Sequence, residues 1–101
     1  MKTNCVKSGA QCRVCLTGTF NYDTCYMFGR AVDVPLKDPE VMKITLDLSQ
    51  VSYLDSSGLG ALLILREKAM SAMKKVELTA ATGNVRKALE IANFNRLFAF
   101  S

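Results

Sequence analysis

The stretch VSYLDSSGLGALLILREKA, Val51 to Ala69, passes from β-prone residues through an acidic, serine-rich turn into a long apolar run. Aspartate and serine suit such a junction, because their side-chain oxygens accept from the orphan amides of a first helical turn. Asp55, Ser56 and Ser57 are each able to cap a helix running from about Ser57 to Lys74. In that helix Leu59, Leu62, Leu63, Met70 and Met73 recur at i, i+3, i+4 and i+7 intervals, and the spacing predicts that this stripe is the core face.

Upstream, KITLDLS alternates, with Ile44, Leu46 and Leu48 pointing one way and Thr45 and Asp47 the other. Downstream, VELTAA repeats the pattern, with Val76, Leu78 and Ala80 set against Glu77 and Thr79. Two strands that each have one polar face imply a sheet covered on one side, unlike a doubly wound sheet whose central strands are apolar on both faces.

The remaining elements follow outward. TNCVK and QCRVCLT flank Ser8-Gly9, a pattern that predicts an opening β-hairpin. From Asp23 to Val34, Tyr26, Met27, Arg30 and Ala31 stand at helical spacing, with Thr24 or Asp23 as cap, and Pro35 and Pro39 bracket the loop beyond. A second amphipathic helix, about Asn84 to Ala92, follows Thr82-Gly83 and carries Val85, Ala88, Leu89 and Ala92 on one side. RLFAF closes the chain as a short strand or apolar tail. The expected order is β-β-α-β-α-β-α-β in one domain over residues 1–101: an α/β fold with a mixed sheet and helices packed mainly on one face.

Composition narrows the function. With 101 residues, half of them hydrophobic and 22% charged, the chain suits one globule with a single core. The apolar run Leu59–Leu65 stops at Arg66, well short of the ~20 residues of a bilayer span. MKTNCVKSGA lacks the apolar segment of a secretory signal, so the expected compartment is the cytoplasm, without membrane insertion. Cys5, Cys12, Cys15 and Cys25 are then expected as buried or half-buried free thiols. Cys12 and Cys15 form a CxxC within a strand, where an odd offset sends the side chains to opposite faces; with no histidine and no second CxxC, no metal site is expected. The formal charge of +4 is spread along the chain, with Lys74–Lys75 and Arg86–Lys87 the only adjacent basic pairs. That suits a solvated surface, or an acidic protein partner, better than a nucleic-acid footprint.

The serine pair does not make a hydrolase. Asp55 stands where GxSxG requires glycine, and a chain without histidine has no Ser-His-Asp triad. Gly58-Leu59-Gly60 meets Leu63 where GxGxxG needs its third glycine, and the P-loop pattern is absent, so no nucleotide cofactor is expected. Two readings remain: a helix cap, or a hydroxyl placed for modification. Ala61 and Ile64 lie away from the Leu59–Leu63–Met70 stripe, on the side reaching Lys68 one turn later. Unless a neighbouring helix covers Ile64, an apolar surface borders the serines. A phosphoserine adds about −1.5 to −2 charges, is tolerated at a helix N-terminus, and burdens any partner that must desolvate it.

ITLDLSQVSYLDSSGLGALL strongly resembles the central segment of STAS domains, the family of bacterial anti-sigma factor antagonists. Gly18-Thr19-Phe20-Asn21-Tyr22 is similar to the glycine-led segment after that family's second strand, and KALEIANFNRLF to its last helix and closing strand. The resemblance implies a non-enzymatic partner switch. In that pattern Ser57, the second serine of the motif, is the phosphoacceptor. The unmodified domain binds a serine kinase or anti-sigma factor of the histidine-kinase ATPase fold, and a PP2C-type phosphatase restores it. Carried over residue by residue, the partner surface comprises Asp55, Ser56, Ser57, Gly58, Leu59 and Gly60, with Ile64 added from the helical geometry. Two departures stand out. Asn21 occupies a position where the family often has aspartate, and the sequence ends at Ser101, where many relatives continue into a further helix whose lack would favour self-association. The alternative reading is a structural STAS subunit of a transporter or signalling assembly, in which DSSG only caps the helix.

Overall fold

The computed structural model describes residues 1–101. The chain forms β1 (Lys2–Ser8), β2 (Gln11–Phe20), α1 (Cys25–Lys37), β3 (Lys43–Leu54), α2 (Ser56–Ser71), β4 (Lys75–Thr79), α3 (Gly83–Ile91), a 3₁₀ turn (Phe94–Arg96) and β5 (Ala99–Phe100). This is the expected order with the 3₁₀ turn added. The five strands lie in the order β1-β2-β3-β4-β5; the β1–β2 pair is antiparallel and the other pairs are parallel. The hairpin loop is Gly9-Ala10, one residue later than expected, with Gly9 at φ 61°, a left-handed conformation that glycine adopts without a Cβ penalty.

Alternation along β2 and β3 separates the two faces of the sheet. Cys12, Val14 and Leu16 join Ile44, Leu46, Leu48 and Leu78 in a core closed by Phe28 and Val32 of α1, Leu62 and Leu65 of α2, and Val85 and Leu89 of α3. On the other face Arg13 pairs with Asp47 at 2.7 Å, Gln11 donates to Thr45 at 3.1 Å and Lys43 meets Glu77 at 3.2 Å. Cys15 shares that polar face with Asp47, opposite the buried Cys12, as the odd spacing implies. All four cysteines are free thiols, and Cys5 is exposed rather than half-buried.

Two helices depart from expectation. α1 runs through Pro35 to Lys37 instead of ending at Val34. Proline removes the amide that would bond Ala31 O, and the Cys5 thiol contacts that carbonyl at 3.7 Å while the proline ring is itself buried. Thr24 occupies the N-cap position of α1 but does not cap it: its hydroxyl donates to Thr19 O at 2.9 Å. In α2 the core face is Gly58, Leu62, Leu65 and Ala69. Of the stripe expected to face the core, Leu62 is buried and Leu59 packs half-buried against it, whereas Leu63 is exposed, Met70 is 60% exposed, and Met73, beyond the end of α2, is 84% exposed. At 100° per residue α2 is apolar towards the sheet, towards α1 and towards the 3₁₀ turn, so periodicity alone does not select among the three sides.

No helix is long and apolar enough to cross a membrane. Lys74 is buried just beyond α2, and its ammonium donates to Asp38 O and Val41 O, tying the α1–β3 and α2–β4 connections together.

Candidate functional site

The DSSG turn is built by the ends of two parallel strands. β3 delivers Leu54, and Asp55 then leaves the strand, its amide donating to Phe20 O at the end of β2 over 3.2 Å. In an extended conformation at the N-cap, Asp55 accepts Gly58 N–H on Oδ1 at 3.0 Å and Leu59 N–H on its carbonyl at 3.0 Å. Of the three candidate caps, Asp55 is the one used. The amides of Ser56 and Ser57 keep no protein acceptor, and with the helix dipole they favour negative charge at this end.

Ser56 is exposed and Ser57 half-exposed, whereas Gly58 is buried. A Cβ on Gly58 would stand 2.5 Å from Leu54 Cδ1 and 2.8 Å from Phe20 O. Gly58 therefore lets the helix start seat against the strand ends, and it offers no side chain to a partner. Leu59 and Gly60 are half-buried, and Leu59 packs against the core.

Ser57, Ala61, Ile64 and Lys68 share the flank of α2 that faces α1. Between the helices lies a cleft of about 150 Å³, walled by Tyr26, Phe28, Gly29 and Val32 of α1 and by Ala61 and Ile64 of α2. Ile64 lines this cleft and still keeps 58% of its surface exposed, so α1 borders it without covering it. Lys68 Nζ reaches Asp33 Oδ1 at 3.8 Å across the same gap. Sequence reasoning missed the α1 wall. Its one signal was Gly29, a helix-interior glycine whose added Cβ would meet nothing within 4 Å and which therefore leaves the cleft open.

Asn21 sits beside this junction, next to the carbonyl that anchors Asp55. Its Oδ1 accepts from Thr24 N–H at 3.2 Å, while its own amide donates to Thr24 Oγ1 at 3.0 Å, so the residue shapes the turn into α1.

A family model described as "Mlab, STAS domain" matches residues 4–99. The chain belongs to the STAS domain family. A STAS-domain containing protein of Pseudomonas aeruginosa (strain UCBPP-PA14) is 33% identical over 93 residues, covering 92% of this chain and 90% of its own. Among solved structures, a putative anti-sigma factor antagonist from Thermotoga maritima superposes with a TM-score of 0.87 at 21% identity, covering 97% of this chain and 84% of that one. The Bacillus cell fate determinant SpoIIAA in its phosphorylated form superposes at 0.75 with 14% identity, covering 99% and 91%. At these identities the two structures establish the fold, and this STAS domain shares it with anti-sigma factor antagonists.

Proposed function

We propose that this STAS domain is a non-enzymatic, cytoplasmic partner-switching regulator controlled by phosphorylation of Ser57. The carrying observation is the placement of Ser57: half-exposed in the first turn of α2, beside two unpaired amides, and on the flank that bears Ile64 and the α1–α2 cleft. A phosphate there meets the positive end of the helix, so the fold tolerates it. A partner seated over Ser56, Ser57, Gly60 and Ile64 has to desolvate that charge, and each 1.4 kcal/mol of penalty weakens binding about tenfold. Asp55, Gly58 and Leu59 support this surface from beneath. The likeness to anti-sigma factor antagonists supports a kinase or anti-sigma factor of the histidine-kinase ATPase fold as the partner, with a PP2C-type phosphatase reversing the mark.

The test is to incubate the protein with ATP and a serine kinase of that fold encoded beside its gene, then locate phosphate by mass spectrometry. Modification at Ser57, lost in Ser57→Ala, supports the switch. An unmodified protein under a demonstrably active kinase favours the alternative, a fixed structural subunit of a transporter or signalling assembly.

A further inference from the structure

β1 is an outer strand of the sheet, and all 7 of its residues, Lys2–Ser8, are exposed. The opposite edge is only the short strand β5. Sheet edges are ordinarily blunted by shortness, by proline or by a bulge, and β1 has no proline and runs against β2 without a register shift. The loop Gly9-Ala10 closes on the hydrogen-bonded pair Ser8–Gln11. By alternation, the backbone groups of Lys2, Asn4, Val6 and Ser8 turn to β2, and those of Thr3, Cys5 and Lys7 turn outward. No turn or loop of the chain takes up those outward groups. The side chains of the same three residues stand on the face that carries α1, since their register partners on β2 are Leu16, Val14 and Cys12.

Among the antiparallel registers that match outward residues with outward residues, the one centred on Cys5 pairs the whole strand with itself. It sets Lys2 against Ser8 and Thr3 against Lys7, so that each lysine faces a hydroxyl, whereas a register centred on Lys7 would oppose two like charges. In the Cys5 register, Lys7 of a second copy arrives opposite Thr3, together with the Asp38 and Glu40 carboxylates that hold its ammonium at 3.0 and 2.9 Å. Thr3 shares a hollow of about 390 Å³ with Arg30, an exposed cation that belongs to no ion pair of the chain. We propose that β1 pairs antiparallel with β1 of a second copy, centred on Cys5, so that two sheets join into one and Arg30 of each copy meets the Asp38–Glu40 carboxylates of the other. This surface is separate from the serine flank of α2 and does not rest on the reading of Ser57.

Sedimentation equilibrium of the full chain with its thiols kept reduced, beside amide hydrogen exchange at rising protein concentration, reads the pairing. A monomer–dimer equilibrium is expected, with exchange slowing most at Thr3, Cys5 and Lys7 as the dimer fills. Cys5→Pro removes an amide that β2 does not use and, by symmetry, two hydrogen bonds per dimer, so it should weaken dimerisation at least tenfold. Cys5→Ala keeps the amide and should pair as the wild type does. Arg30→Glu, which leaves β1 untouched, should also weaken dimerisation about tenfold, the scale of one charge-assisted contact. Should Cys5→Pro lose its native spectrum, Arg30→Glu and the exchange of the wild type carry the test. A chain still monomeric at about 1 mM, a dimer whose Thr3, Cys5 and Lys7 amides exchange no more slowly than the monomer's, or undiminished dimerisation in either folded variant would each overturn the proposal.

Discussion

Replacing Gly58 by alanine tests how the serine turn is held. A methyl there would approach Leu54 Cδ1 to 2.5 Å, Phe20 O to 2.8 Å and Phe20 Cδ1 to 3.0 Å. The leucine methyl can swing aside. Phe20 O cannot, because it accepts the Asp55 amide at 3.2 Å and any shift loosens the turn. Overpacking of this kind costs about 1–3 kcal/mol, and contact with fixed backbone places it near the upper limit. Alanine returns about 1 kcal/mol of helix propensity, which leaves a net loss of about 2 kcal/mol. For a domain of this size that lowers Tm by about 10 °C. Gly60 is the control two residues on, since a Cβ there meets nothing within 4 Å. Gly60→Ala should raise Tm by a few degrees in the same thermal denaturation followed by circular dichroism. If both variants are equally stabilised, Gly58 is not a close-packing position and the seating of α2 has been misjudged.

Three further outcomes follow from other contacts. Asp55→Ala removes the cap on Gly58 N–H and should cost about 1 kcal/mol in urea titrations, with Asp55→Asn recovering most of it. Lys74→Met removes the ammonium that Val41 O and Asp38 O share, leaving Asp38 O only the Val41 amide, and should cost about 1–3 kcal/mol by the same assay. The third concerns acid. Burial acts to raise the Asp47 carboxyl, but the hydrogen bonds from Ser49 and the Arg13 guanidinium outweigh it and hold the group below the ordinary aspartate value. A depressed folded value means that the stabilisation is present above the unfolded pKa of about 3.9 and is lost as pH falls through the lower folded one. Wild-type stability should therefore drop below about pH 4, and Asp47→Asn should flatten that part of a Tm-versus-pH curve.

Legibility in the sequence followed how unambiguous each periodicity was. KITLDLS has one apolar face, and Ile44, Leu46 and Leu48 are buried as read. Thr45 is buried as well, because β3 is the central strand and Gln11 reaches across to its hydroxyl. The last helix was legible for the same reason: Val85, Ala88, Leu89 and Ala92 share one side, and Val85 and Leu89 are buried. In α2 the pattern is ambiguous, since Leu59, Leu63 and Met70 obey helical spacing as well as Leu62, Leu65 and Ala69 do, and only packing against the sheet decides between them. Pro35 reads as a terminator by local rules, which do not register that a thiol from β1 contacts the carbonyl it frees. At the site, DSSG revealed its capping chemistry directly. The cleft did not show, because it needs two helices brought together by the fold.

The most direct measurement is the affinity of the cognate serine kinase for this domain with Ser57 unmodified and phosphorylated, read by calorimetry beside the Tm of each form. At least tenfold weaker binding of the phosphorylated form, with Tm changed by no more than a few degrees, is the predicted result. Equal affinities, or a phosphorylated domain that has lost its fold, would contradict it.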